Sequence, residues 1–251
     1  MRLFTALLLF CCTLVVRPQS AIIYDDQSGL SHWIVSGVVQ DLQGFIWMST
    51  WNGLNRFDGY EFRQVKAVPG NGVDIPSEVI RSIALDKDGN ILCKTDVGCF
   101  MLDTKTYQFK ELPQSFHKDM PKNTMLKDRE GNIWKTERYG ITKTLHPHHP
   151  ATMVEGTAEI HARAFFIDRH NRWWLATKED ECIRVYSSGN VLKGYLGADG
   201  RLHSNKTPFG HRAYCIVETV AGDIWIGCKP GALLRHRSPI PNFLPLCSRA
   251  W

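Results

Sequence analysis

A seven-residue phrase recurs five times along this chain and restricts its fold more than any other feature. It reads Asp, two residues, Gly, one residue, an apolar residue and then, in most copies, Trp. The first copy runs from Asp41 to Trp47 and is followed by Thr50, Gly53 and Leu54. Its marker, Gly44, recurs as Gly89, Gly131 and Gly222, with Asn171 in the fourth copy. Successive markers are 45, 42, 40 and 51 residues apart. A period of this length means one supersecondary unit stacked on copies of itself.

Each copy reads as strands joined by tight turns. Six positions before the marker stand Val38, Ile83, Met125, Phe165 and Ile216, and the next position is apolar again in every copy. Neighbouring side chains on a strand point to opposite faces, so two apolar neighbours imply a strand covered on both sides. Three before the marker come Asp41, Asp86, Asp128 and Asp168, with Thr219 as the exception. Asp can accept from a backbone N–H two residues on, and Gly tolerates the positive φ that closes such a turn. A second apolar run follows, as in Ile46-Trp47, Ile133-Trp134, Trp173-Trp174 and Ile224-Trp225. Gly53, Gly98, Gly140 and Gly231 then mark another turn and a third strand. In copy four, Asp180 and Glu181 interrupt the spacing and Ile183 resumes the strand. Segments such as 61–65 and 106–109 read as outer strands.

Four short antiparallel strands per repeat, with no helical periodicity after residue 20, predict an all-β chain and an incomplete β-propeller of which five blades are present. A β-solenoid is the runner-up, though its repeats are shorter. The expected divisions are blade 1 with a lead-in over 21–66, then blades at 67–111, 112–152 and 153–197. An incomplete blade 5 follows at 198–237. Residues 238–251 carry three prolines and do not suit an outer strand; they read as an irregular, out-of-frame tail. Such an open array would expose the apolar faces around Ile46 and Trp47 or Ile224 and Trp225. It predicts poor solubility, or a partly disordered C-terminus, for residues 22–251.

Residues 1–20 read as a secretory signal: Arg2, an apolar stretch from Leu3 to Val16, and cleavage near Ser20 or Ala21. That stretch is short for a membrane span. The net charge of +5 is dispersed among 25 acidic residues, which gives no sign of nucleic-acid binding. An exported chain permits disulfides. Yet Cys93, Cys99 and Cys228 stand where other copies carry Met48, Leu54 and Thr50, so most of the cysteines read as small buried hydrophobes. A Cys93–Cys99 bridge across one hairpin is the alternative.

The run Gly29-Leu30-Ser31, Val38 to Asp41, Gly44 to Thr50, Gly53 to Gly59 and Phe62 resembles the opening of a two-component regulator propeller. The resemblance covers residues 22–236 and weakens from copy to copy. It implies the periplasmic sensor part of a hybrid two-component receptor of the Bacteroidetes type, with an oligosaccharide as ligand. Family members have about seven blades per propeller, a membrane helix, a histidine kinase and an AraC-type regulator, and are membrane-anchored and homodimeric. The kinase and regulator find no counterpart in this sequence, which therefore reads as a truncated or frameshifted form without catalytic activity.

Candidate functional residues are few. The recurrent Asp41, Gly44, Trp47, Gly53, Asp86, Gly89, Gly98, Asp128, Gly131, Trp134, Gly140, Asp168, Trp174, Gly222, Trp225 and Gly231 read as blade-building residues. Trp51 has no aromatic counterpart in the other copies and is the candidate sugar contact; rim packing on a neighbouring blade is its bland reading. His146 to Pro150 reads as a loop rather than a metal tract, and 178–181 as a charged turn. No cofactor or metal is expected. The alternatives are a secreted carbohydrate-acting propeller enzyme, sialidase- or lyase-like, and an interaction scaffold.

Overall fold

Every repeat makes its strands from an apolar pair, a turn and a second apolar run, and the computed structural model arranges these strands as five small antiparallel sheets. It describes residues 21–65, 77–114, 116, 125–145, 149–229 and 233–236. The leading strand is β1 (Ala21–Tyr24). Blade 1 follows with β2 (Val35–Gln40), β3 (Ile46–Thr50), β4 (Gly53–Phe57) and β5 (Phe62–Val65). Blade 2 has β6 (Ile80–Leu85), β7 (Ile91–Thr95), β8 (Cys99–Leu102) and β9 (Phe109–Leu112). Blade 3 has β10 (Met125–Lys127), β11 (Ile133–Thr136), β12 (Ile141–Thr144) and β13 (Thr152–Met153). Blade 4 has five strands, β14 (Ala162–Ile167), β15 (Trp173–Thr177), β16 (Ile183–Tyr186), β17 (Leu192–Leu196) and β18 (Leu202–His203). Blade 5 has β19 (Arg212–Glu218), β20 (Ile224–Lys229) and β21 (Leu233–His236).

The fold is a five-bladed β-propeller, as the repeat count predicts. The open-array expectation is overturned. β1 pairs with β21, Tyr24 facing Leu233, so the fifth sheet runs β1-β21-β20-β19 and has four strands. The stretch read as a lead-in to blade 1 is thus the outer strand of blade 5. Blade 5 then packs on blade 1 through Val35, Val38, Met48, Phe57, Cys215 and Trp225. Ile46, Trp47, Ile224 and Trp225 are all buried in consequence. The physical reason is edge pairing: a bare β21 edge would leave its backbone groups unpaired, and β1 satisfies them. The tail at 238–251 and residues 1–20 lie outside the described residues.

Blades 1 and 2, 3 and 4, and 4 and 5 likewise share apolar clusters. Burial on both faces is complete for β3 and β15, the second strands. The first strands are buried at Val38, Ile83, Phe165 and Ile216, and half-buried at the next residue. Residues 106–108, expected to begin an outer strand, form a turn instead, with Tyr107 at φ 59 and its amide bonded to the Asp103 carbonyl. The Asp103 carboxylate, accepting from the amides of Lys105 and Thr106, stabilises that turn over a strand start.

Cys93, Cys99, Cys182, Cys215 and Cys228 are buried free thiols. The Cys93–Cys99 alternative fails on register. Cys93 pairs with Phe100 and Lys94 with Cys99, so the two side chains lie on opposite faces of the hairpin.

Candidate functional site

The two ends of the propeller differ in what the repeat puts there. At one end the Asp-x-x-Gly turns are fully engaged in structure. Gly44, Gly89, Gly131 and Gly222 have positive φ, and Asn171 takes the same conformation at φ 55. The Asp41 carboxylate accepts from the amides of Gln43 and Phe45 and, at 2.7 Å, from the Trp47 indole. Asp128 holds Trp134 at 2.8 Å and Asp168 holds Trp174 at 3.0 Å in the same way. In blade 2, where Leu92 replaces Trp, Asp86 takes the Asn90 amide group instead. Burial raises the Asp128 carboxyl, but hydrogen bonds from Trp134 and Asn132 outweigh it and hold it below the ordinary range. A polar cleft of about 210 Å³ opens at this end beside Asp128, Asp168, Arg169 and Glu218. Its carboxylates are already occupied, Glu218 by Arg169 and Asp168 by Arg172.

The opposite end carries the residues that vary from copy to copy. Each described first strand of blades 1, 2, 4 and 5 has a bulge, between Val35 and Gly37, Ile80 and Ser82, Ala162 and Ala164, and Ala213 and Cys215. The bulged residues are Ser36, Arg81, Arg163 and Tyr214, all eight positions before their markers. A bulge re-aims a side chain and recurs beside functional sites. The turn after each second strand adds another variable residue: Trp51, Asp96, Arg138, Lys178 and Lys229.

These two sets meet at one mouth. The Arg81 guanidinium lies 5.0 Å from the Trp51 ring, and the Lys229 ammonium lies 4.7 Å from the same ring. Trp51 therefore bridges blades 1, 2 and 5. His32 stacks on it at 6.2 Å and contacts Trp33, which is 55% exposed. Burial keeps His32 below its ordinary pKa, so it is neutral at pH 7. Arg81 binds both oxygens of Asp96, at 2.7 and 3.0 Å, and that bond lowers the Asp96 pKa. Arg163 lies 5.3 Å from the Tyr214 ring, and its buried Nε has no hydrogen-bond partner.

Trp51 thus sits where its bland reading puts it, packed on neighbouring blades, and is also half-open among cations and aromatics. The charged turn at 178–181 is internally engaged: Glu179 bonds His161, Asp180 bonds Arg184 and Lys206, and Glu181 bonds Arg212. His149 is exposed, whereas His146 and His148 lie outside the described residues. Trp33, Arg163 and Tyr214 were not legible as site residues. A signal existed in the two repeat positions that vary, but only the bulges show that those positions share a mouth.

No family model matches the sequence, and no curated protein matches it. Solved structures do match in fold. One, described as the extracellular domain of hybrid two-component system BT3049 from B. thetaiotaomicron, has a TM-score of 0.58 at 16% identity. In fold, this chain is similar to a receptor ectodomain. The likeness covers 87% of this chain and 42% of that one. The corresponding domain of BT4673 from the same organism gives 0.53 at 17% identity, over 91% of this chain and 41% of that one. The chain spans less than half the length of these ectodomains. Regucalcin, a calcium-binding protein from Agrobacterium tumefaciens, gives 0.55 at 11% identity, over 82% of this chain and 90% of that one. Among the described residues, no helix is long and apolar enough to cross a membrane.

Proposed function

We propose that this propeller is the ligand-sensing module of an extracytoplasmic two-component receptor, and that its ligand is a saccharide held at the mouth around Trp51. One observation carries the reading. Trp51 and the exposed Trp33 bracket His32 at the end where the repeats differ most. Repeated positions build blades, and variable positions clustered at one end are free to recognise. Flat aromatic faces beside polar groups suit a sugar, which is apolar on its ring faces and polar at its edges. The similarity in fold to hybrid two-component ectodomains supports the sensing role. In a complete receptor, binding would favour one of two arrangements of the ectodomain, and so bias the output.

The test is a calorimetric screen of the full chain against a panel of oligosaccharides, repeated with Trp51→Ala. At least one saccharide should bind, and truncation of Trp51 should weaken it about tenfold. Absence of any saccharide binding, or binding indifferent to Trp51, would overturn the reading.

A further inference from the structure

The mouth has an electrostatic character that the aromatic residues alone do not convey. Its two variable positions per blade place Arg81, Arg138, Arg163, Lys178 and Lys229 together at one end, against a single acidic residue, Asp96. Arg81 and Asp96 neutralise each other in a two-point contact. The other four cations have no carboxylate partner among the described residues. Four of the acids in the adjoining turns are committed elsewhere. Glu137 pairs with Lys135, Glu179 with His161, Asp180 with Arg184 and Lys206, and Glu181 with Arg212.

Three of the unpaired cations are already positioned against aromatic rings, Arg138 over its neighbour Tyr139 among them. Lys229 lies over Trp51 and Arg163 lies over Tyr214. Arg163 also keeps a buried Nε without a partner. Leaving a buried donor unsatisfied costs about 1–3 kcal/mol, and an anion meets that need with a charge-assisted bond. A ring face beside a free cation presents a stacking surface and an anion contact within one site.

From this arrangement we propose that the mouth selects an acidic saccharide, one bearing carboxylate or sulfate, with Arg163 and Lys229 taking the anionic groups and Trp51 a ring face. The proposal rests on the saccharide-sensing reading above and deepens it. Carboxylate and sulfate share the required chemistry: a planar or tetrahedral oxyanion matched to guanidinium and ammonium donors. Mutual repulsion among unpaired cations also favours the charged ligand over a neutral sugar of the same shape.

The experiment uses the full chain and three probes in calorimetry. These are a tetragalacturonate, its fully methyl-esterified neutral form, and a sulfated chondroitin disaccharide. An acidic probe should bind at least about tenfold more tightly than the neutral ester, and its affinity should fall as salt rises. Arg163→Gln and Lys229→Gln should each reduce acidic binding about tenfold without lowering the thermal melt. Arg163→Lys, which keeps the charge, should recover part of it. Stronger binding by the carboxylate or by the sulfate probe identifies which oxyanion the mouth takes. Equal binding of acidic and neutral forms, lost in Trp51→Ala, overturns the acidic selection and leaves saccharide sensing intact. Binding of neither form nor the disaccharide, with none from a wider saccharide panel, overturns both. Acidic binding indifferent to Arg163 and Lys229 overturns the site assignment.

Discussion

The Gln40 side-chain carbonyl accepts a 2.7 Å hydrogen bond from the Val220 amide, joining positions 180 apart in the chain. Gln40 ends the first strand of blade 1, and Val220 lies in the turn of blade 5. The same link joins blades 4 and 5, where the Glu218 carboxylate accepts from the Arg169 amide at 2.7 Å. The join between the two chain ends therefore uses a contact that recurs between sequential blades. Gln40→Ala should cost about 1 kcal/mol and remove protection of the Val220 amide in hydrogen exchange. An unchanged exchange rate at Val220 would argue that the two ends are not joined there.

The fifth copy lacks the aspartate that elsewhere binds the tryptophan indole. Thr219 occupies its position, and the buried Trp225 Nε1 has no hydrogen-bond partner. Thr219→Asp should supply the acceptor and raise stability by about 1 kcal/mol, read as a higher melting temperature. Asp168→Ala should act in the opposite sense, by about 1–3 kcal/mol, because it strands the Trp174 indole and Arg172 together.

Tyr24 anchors the strand that completes blade 5. Its ring stacks on Trp225 at 5.7 Å and lies 5.3 Å from both Phe57 and Phe62. Tyr24→Ala should destabilise the fold by about 2–3 kcal/mol. Removal of residues 21–24 should do more, since it also bares the β21 edge, and should promote association between chains. A truncated chain that stays monomeric with an unaltered melt would show that β1 is dispensable.

His236 is buried on β21, and burial, reinforced by the Arg172 charge, lowers its pKa below the ordinary value of 6.5, with Asp223 opposing. The unfolded chain therefore binds this proton more readily than the folded one. Its contribution to stability is complete above about pH 6.5 and is lost as pH falls below that value. Carboxylates with lowered pKa, among them Asp128 and Asp180, add a second loss below about pH 4. The melting temperature should thus decline from pH 7.5 to 5.5, and His236→Leu should flatten that first decline.

Burial pushes the Cys215 thiol up to about 12 and raises Cys93 and Cys228 as well. Thiolate, the reactive form, is then scarce at neutral pH. Site-resolved alkylation by iodoacetamide should leave these three unmodified in the folded chain and label them fully in denaturant. Labelling of Cys93 under native conditions would contradict its place in the blade 1–blade 2 core.

What the sequence determined by itself was the unit and its count. Asp41, Gly44 and the apolar pairs act within about ten residues of one another, so local turn chemistry and strand periodicity make them legible without a fold. The family likeness was readable from the first copy for the same reason. The tertiary structure decided what distant segments do together. Ala21–Tyr24 shows no sequence sign of belonging to blade 5, because its partner edge lies over 200 residues away and backbone pairing carries almost no side-chain signature. The mouth is a similar case. Trp51 stood out as a lone aromatic, but Arg81, Lys229, Arg163 and Tyr214 became its neighbours or counterparts only when repeated bulges and blade packing turned spaced positions into one surface.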